Sequence, residues 1–115
     1  MKILIIVNES PWGSTLGVSA FRLARAMLAA KAQIAAVFFR GDGVYHAQPA
    51  RAVDGGTPNL CLEWQALAGP AGIPLLLCSS AAGRRLQEAP AGAYREAGLV
   101  EMIEIMAGSD RVVSF

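Results

Sequence analysis

The chain has 115 residues, a formal charge of +1, and 54% hydrophobic against 17% charged residues. That length suits one domain with its own core, spanning residues 1–115, and is too short for two ordinary domains. The scattered cations, Arg22 and Arg25 in one segment and Arg84 and Arg85 in another, exclude the basic surface that holds nucleic acid or an anionic membrane, while the apolar surplus predicts an oligomer.

Lys2 to Asn8 is a continuous apolar run rich in β-branched residues, the pattern of a strand buried on both faces of a parallel sheet. Glu9 to Ser14 is a loop, and Ser14 or Thr15 can cap the next helix. Leu16, Ala20, Leu23, Ala24 and Met27 recur at helical spacing, which predicts a helix to about Ala30. Gln33 to Arg40 is a second strand. Gly41 to Thr57 is a long loop, of the kind that is usually functional or mobile. Pro58 begins a helix to about Ala68, with Leu60, Cys61, Trp64 and Leu67 along one stripe and Pro70 and Gly72 ending it. Ile73 to Cys78 is a third strand. A short helix spans Ala81 to Gln87, after a tight turn of small residues, and Glu88 to Gly92 is a break. Four strands are clear, and the stretch Tyr94 to Leu99 leaves room for a fifth, short one. Leu99, Val100, Ile103 and Met106 form a last amphipathic helix stopped by Gly108, and Asp110 to Phe115 is the final strand. This alternation predicts an α/β fold, a doubly covered and mostly parallel sheet of four to five strands.

The lone run Ile3–Val7 behind Lys2 is too short for a signal-peptide core, and no stretch approaches the ~20 apolar residues of a membrane span. The two cysteines, Cys61 and Cys78, are far apart and form neither a C-x-x-C pair nor a disulfide framework, and with one histidine they make a poor zinc set. A cytoplasmic location follows as the expectation.

Cys78 is the residue with chemistry. It ends a buried strand, stands before Ser79, Ser80, Ala81 and Ala82 at a helix start, and is followed by Arg84 and Arg85. A helix dipole and nearby guanidinium groups both favour the nucleophilic thiolate, and the carboxyl ends of strands are where α/β sheets gather ligands. The alternative is core filling, common for free cysteine. Cys61, mid-helix on the apolar stripe, reads as core. His46, after Tyr45, reads either as an exposed loop residue or as a proton donor or acceptor beside Cys78. Trp12 and Trp64 read as core or interface aromatics, and Glu101 with Glu104 as a solvated helix face. The first loop lacks both the G-x-G-x-x-G pattern and a phosphate-loop lysine. Ser14 and Thr15 leave a flavodoxin-like nucleotide module as a rival, and no G-x-S-x-G supports a hydrolase.

Taken in order along the chain, Pro11-x-Gly13, Ser19-Ala20-Phe21, Val37-Phe38-Phe39-x-x-x-Gly43-Val44-Tyr45-x-Ala47, Trp64-Gln65-x-Leu67, Cys78-x-x-Ala81-Ala82-x-Arg84-Arg85 and Asp110-Arg111-Val112-Val113-x-Phe115 resemble the DsrE/TusD-like sulfur-relay proteins, most closely the TusD branch. Leu86 stands where that family usually has glycine after the arginines, and the stretch from Leu86 to Gly98 is short for that branch. The resemblance implies a three-layer α/β/α (DsrEFH-like) domain and a sulfurtransferase in which Cys78 carries sulfane sulfur as a persulfide. Ser79, Ser80, Arg84 and Arg85 would support the thiolate or persulfide, and Tyr45 and His46 would lie on the site loop. No metal or organic cofactor is implied. The implied partners are two related small subunits in a heterohexamer, or self-association into a homotrimer or homohexamer, with donor and acceptor sulfur-carrier proteins. The implied route leads toward 2-thiolation of tRNA wobble uridine, without direct nucleic-acid binding. The alternatives are a subunit of dissimilatory sulfur oxidation and a non-catalytic subunit of such an assembly.

Overall fold

The structure, a computed structural model, describes residues 1–48 and 59–115. Among these residues, five strands form one parallel sheet in the order β4-β3-β2-β1-β5. The strands are β1 (Lys2–Val7), β2 (Gln33–Phe39), β3 (Leu75–Cys78), β4 (Tyr94–Ala97) and β5 (Arg111–Ser114). The helices are α1 (Leu16–Ala29), α2 (Leu60–Ala71), α3 (Ser79–Arg85) and α4 (Leu99–Ala107), with a 3-10 helix at Gly41–Ala47.

The order of the strands determines which face each helix covers. From β1 to β4 the chain steps across the sheet in one direction, and from β4 to β5 it returns past β1. Crossovers between parallel strands are right-handed, so reversing the direction moves the connecting helix to the opposite face. The packing agrees. Ile3, Ile5, Val7, Val37, Phe39, Leu75 and Leu77 share one core with Ala20, Phe21 and Ala24 of α1, Trp64 and Ala68 of α2, and Ala81 and Ala82 of α3. Leu4, Ile6, Ala36, Phe38 and Leu76 face the other way, against Met102 of α4. The result is a three-layer α/β/α sandwich, as the sequence pattern predicts, and of the four to five strands left open the fifth, at Tyr94–Ala97, is present.

Several boundaries differ from expectation. The third strand starts at Leu75 rather than Ile73. α2 continues past Pro70 to Ala71 and ends at Gly72, whose φ of 67° is the left-handed conformation of a helix C-terminus. Asn59 caps its start, the side chain accepting from the Leu62 N–H at 3.3 Å. Pro58 lies outside the described residues. Gly41 to Ala47 is helical rather than loop, and residues 49–57 of the expected long loop lie outside the described residues. No helix among the described residues is long and apolar enough to cross a membrane.

Candidate functional site

Leu75, Leu76 and Leu77 are buried on alternating faces of the sheet, and this anchoring delivers Cys78 to the carboxyl edge as a partly exposed residue. α3 begins at once, at Ser79, with Cys78 itself as its cap residue. The expected turn of small residues before the helix is therefore absent. Ser79 and Ser80 form the first helical turn, where small hydroxyl residues compete least with the helix.

The Ser80 Oγ lies 3.4 Å from the Cys78 Sγ. Partial burial pushes the thiol up and is the largest single influence, but the Ser80 hydroxyl, the N–H groups of Ala81 and Ser80, and the charge of Arg40 act the other way. Together they hold the thiol below its ordinary value. The amides face the sulfur without closing a capping hydrogen bond of ordinary geometry. A partly exposed thiol biased toward thiolate is a nucleophile. Cys61 is its opposite: buried in α2, with burial pushing its thiol up despite contacts from Tyr94 and Gln65. Core packing, the sequence reading for Cys61, matches this position.

The arginines of α3 are not where the sequence reading put them. Arg84 and Arg85 close a seven-residue helix, and at 1.5 Å per residue their Cα atoms stand roughly 9 to 10 Å along its axis from that of Cys78. Arg84 is exposed. Arg85 is taken by Asp42 of the 3-10 helix, Nε to Oδ1 at 2.8 Å. The cation that acts on Cys78 is Arg40 at the end of β2, a residue that sequence reasoning missed. Its signal was available only through strand pairing, since Arg40 directly follows Phe39, the partner of Leu77.

His46 also requires correction. It is neither exposed nor free to serve a thiol: it is 0% exposed, and both ring nitrogens are engaged. The Trp64 indole N–H donates to Nδ1 at 3.2 Å, and Nε2 lies 3.0 Å from the Glu9 carbonyl. Because the indole can only donate, Nδ1 accepts and Nε2 carries the proton that goes to Glu9. Burial holds this imidazole down to about 4, against a smaller upward pull from the Glu9 carbonyl. His46 thus ties the first loop to α2 inside the core, and Trp64 is a core aromatic. Tyr45 is half-buried, its ring 5.9 Å from that of Trp12. Ser14, a candidate for anion binding, accepts from the Leu16 N–H at 3.2 Å. Glu101 holds Arg95 at 2.6 and 3.1 Å on the surface.

The fold is a parallel α/β/α sandwich with Cys78 at a strand end, and the whole chain, residues 1–115, belongs to the DsrE/DsrF-like family. Membership supports a sulfur-relay type of role. Among solved structures, the chain is similar to the ychN protein from E. coli, with a TM-score of 0.89 and 22% identity, covering 100% of this chain and 99% of that one. At that identity the likeness speaks for the fold.

Proposed function

We propose that this protein is a sulfurtransferase that carries sulfane sulfur as a persulfide on Cys78 and passes it between partner thiols. The observation that supports this most directly is the setting of Cys78, a partly exposed thiol at the carboxyl end of β3, held below its ordinary pKa by Ser80, two helix amides and Arg40. In loading, the Cys78 thiolate attacks the outer sulfur of a donor persulfide. The donor S–S bond breaks, its electron pair leaves on the donor thiolate, and a new S–S bond forms on Cys78. Unloading is the same exchange with an acceptor thiolate. Oxidation states balance between the two partners, so the transfer requires no outside oxidant, reductant or cofactor.

The sequence resemblance favours the TusD branch and a route toward tRNA wobble-uridine 2-thiolation, with donor and acceptor proteins as partners and with related subunits or further copies of the chain in an assembly. The outward apolar side chains of α4 suit such an assembly.

Incubation with a persulfide donor followed by intact-mass measurement tests the reading. The expected result is a gain of one sulfur atom, removed by reductant, kept in Cys61→Ser and lost in Cys78→Ser. Gain in Cys78→Ser, or none in the wild type, would sink it.

A further inference from the structure

β2 and β3 run parallel, with Val37 opposite Leu75, Phe38 opposite Leu76 and Phe39 opposite Leu77. One further step in this register sets Arg40 opposite Cys78. The strand geometry persists through that step: Arg40 has extended angles, φ −120° and ψ 160°, and its N–H still donates to the Val7 carbonyl of β1 at 2.9 Å. Side chains alternate between faces along a strand. Phe39 and Leu77 both enter the core under α1 and α2, and Phe38 and Leu76 both enter the core against α4. Arg40 and Cys78 therefore leave the sheet on the same side, their backbones about 4.8 Å apart, one strand spacing.

Of the other charges on the elements packed around this end of β3, Asp42 is paired with Arg85 and Glu101 of α4 with Arg95, Arg84 stands at the far end of α3, and Glu96 of β4, opposite Leu77, lies on the other face of the sheet from Cys78. His46 is neutral and buried in the core. Among the described residues the Arg40 guanidinium is in no ion pair, and the residue is exposed.

We propose that Arg40 is the residue that holds the anionic sulfur of Cys78, as thiolate before loading and as persulfide anion after it, and that Arg85 acts only through Asp42, as a positioning residue that ties α3 to the 3-10 helix. The second half of this role rests on the relay reading of Cys78. In the loading step the Cys78 Sγ bonds to the sulfane sulfur, the donor S–S bond breaks, and the donor thiolate that departs takes up the persulfide proton. Cys78–S–S⁻ then remains beside Arg40, so one guanidinium faces the same charge in both states.

The rate of alkylation of Cys78 by iodoacetamide, followed by peptide mass across pH, reads the thiolate directly. Arg40→Gln is expected to slow the reaction at pH 7 by about three- to fivefold, the size of one unit charge a strand spacing away through solvent. Arg40→Lys should recover most of the rate, and 1 M salt should shrink the difference. Arg84→Gln should react as the wild type does. A wild-type rate in Arg40→Gln, or an equal loss in Arg84→Gln, overturns the assignment. Sulfur loading by intact mass, run on the same proteins, separates the two ideas. A wild type that loads sulfur but shows no Arg40 dependence of alkylation removes the role of Arg40 alone, and a wild type that never loads removes the relay whatever Arg40 does to alkylation.

Discussion

At the residue scale, His46 shows how a polar side chain becomes structural when both of its ring nitrogens find partners. It sits against Phe39, ring centroids 5.2 Å apart, and its Cε1 side leaves room for nothing larger than glycine at Gly17. Protonation would put a hydrogen on Nδ1, against the Trp64 N–H that already points there. The folded value of about 4 lies below the 6.5 of a free imidazole, so the unfolded chain takes up the proton first. Stability from this group is therefore complete above about pH 6.5 and is lost as the pH falls toward 4, by roughly 3 kcal/mol in all. Urea unfolding at pH 7.5 and 4.5 checks it. His46→Gln should be less stable than the wild type at pH 7.5, and the gap should narrow at pH 4.5. A gap of unchanged size would mean that His46 does not titrate on unfolding.

At the element scale, the 3-10 helix Gly41–Ala47 positions much of the site's surroundings. It carries Asp42, which holds Arg85 of α3, along with Tyr45 and His46. It can lie this close to the end of β1 only because residue 43 is glycine: a Cβ there would overlap the Val7 carbonyl. Gly83, inside α3, has open space around it. The two glycines should therefore respond oppositely. Gly43→Ala should cost about 2 kcal/mol or more through backbone overlap. Gly83→Ala should gain up to about 1 kcal/mol by relieving the entropy cost of glycine in a helix. Urea midpoints of the two variants measure this, and a Gly43→Ala protein as stable as the wild type would contradict the close approach.

At the scale of the whole molecule, the two faces of the sheet are unequally covered. α1, α2 and α3 pack on one, and among the described residues α4 is the only helix on the other. α4 turns Leu99, Val100 and Ile103 outward, 58%, 70% and 52% exposed, and Val112 of β5 is exposed as well. A stripe of this kind on a chain already rich in apolar residues is the mark of a contact surface. Association through it is the expected outcome. Sedimentation should give a mass above 12.1 kDa, and Leu99→Glu with Ile103→Glu should reduce that mass toward the single chain without loss of the far-ultraviolet helix signal. A wild type that sediments as one chain would place the apolar surplus elsewhere.

Most of the element order and the parallel sheet could be read from the sequence, because β1, β2 and β3 are local apolar runs and α1, α2 and α4 local periodicities, whereas β4, Tyr94-Arg95-Glu96-Ala97, carries no such run. The sequence also pointed to Cys78, since a cysteine that ends an apolar strand before a helix start is a pattern within a few residues. Cys61 and Trp64 read as core for the same local reason. What needed the tertiary structure were relations between residues far apart in the chain. Arg84 and Arg85 follow Cys78 closely in sequence, yet the helix rise carries them away from it, and Asp42, 43 residues from Arg85, claims one of them. Arg40 stands 38 positions before Cys78, and only the pairing of β2 with β3 makes them neighbours. His46 looked like a loop residue until the fold closed Glu9 and Trp64 around it. Spacing along the chain decides what a segment becomes, but which charges surround a sulfur is decided by strand register and helix geometry, and those exist only once the sheet has formed.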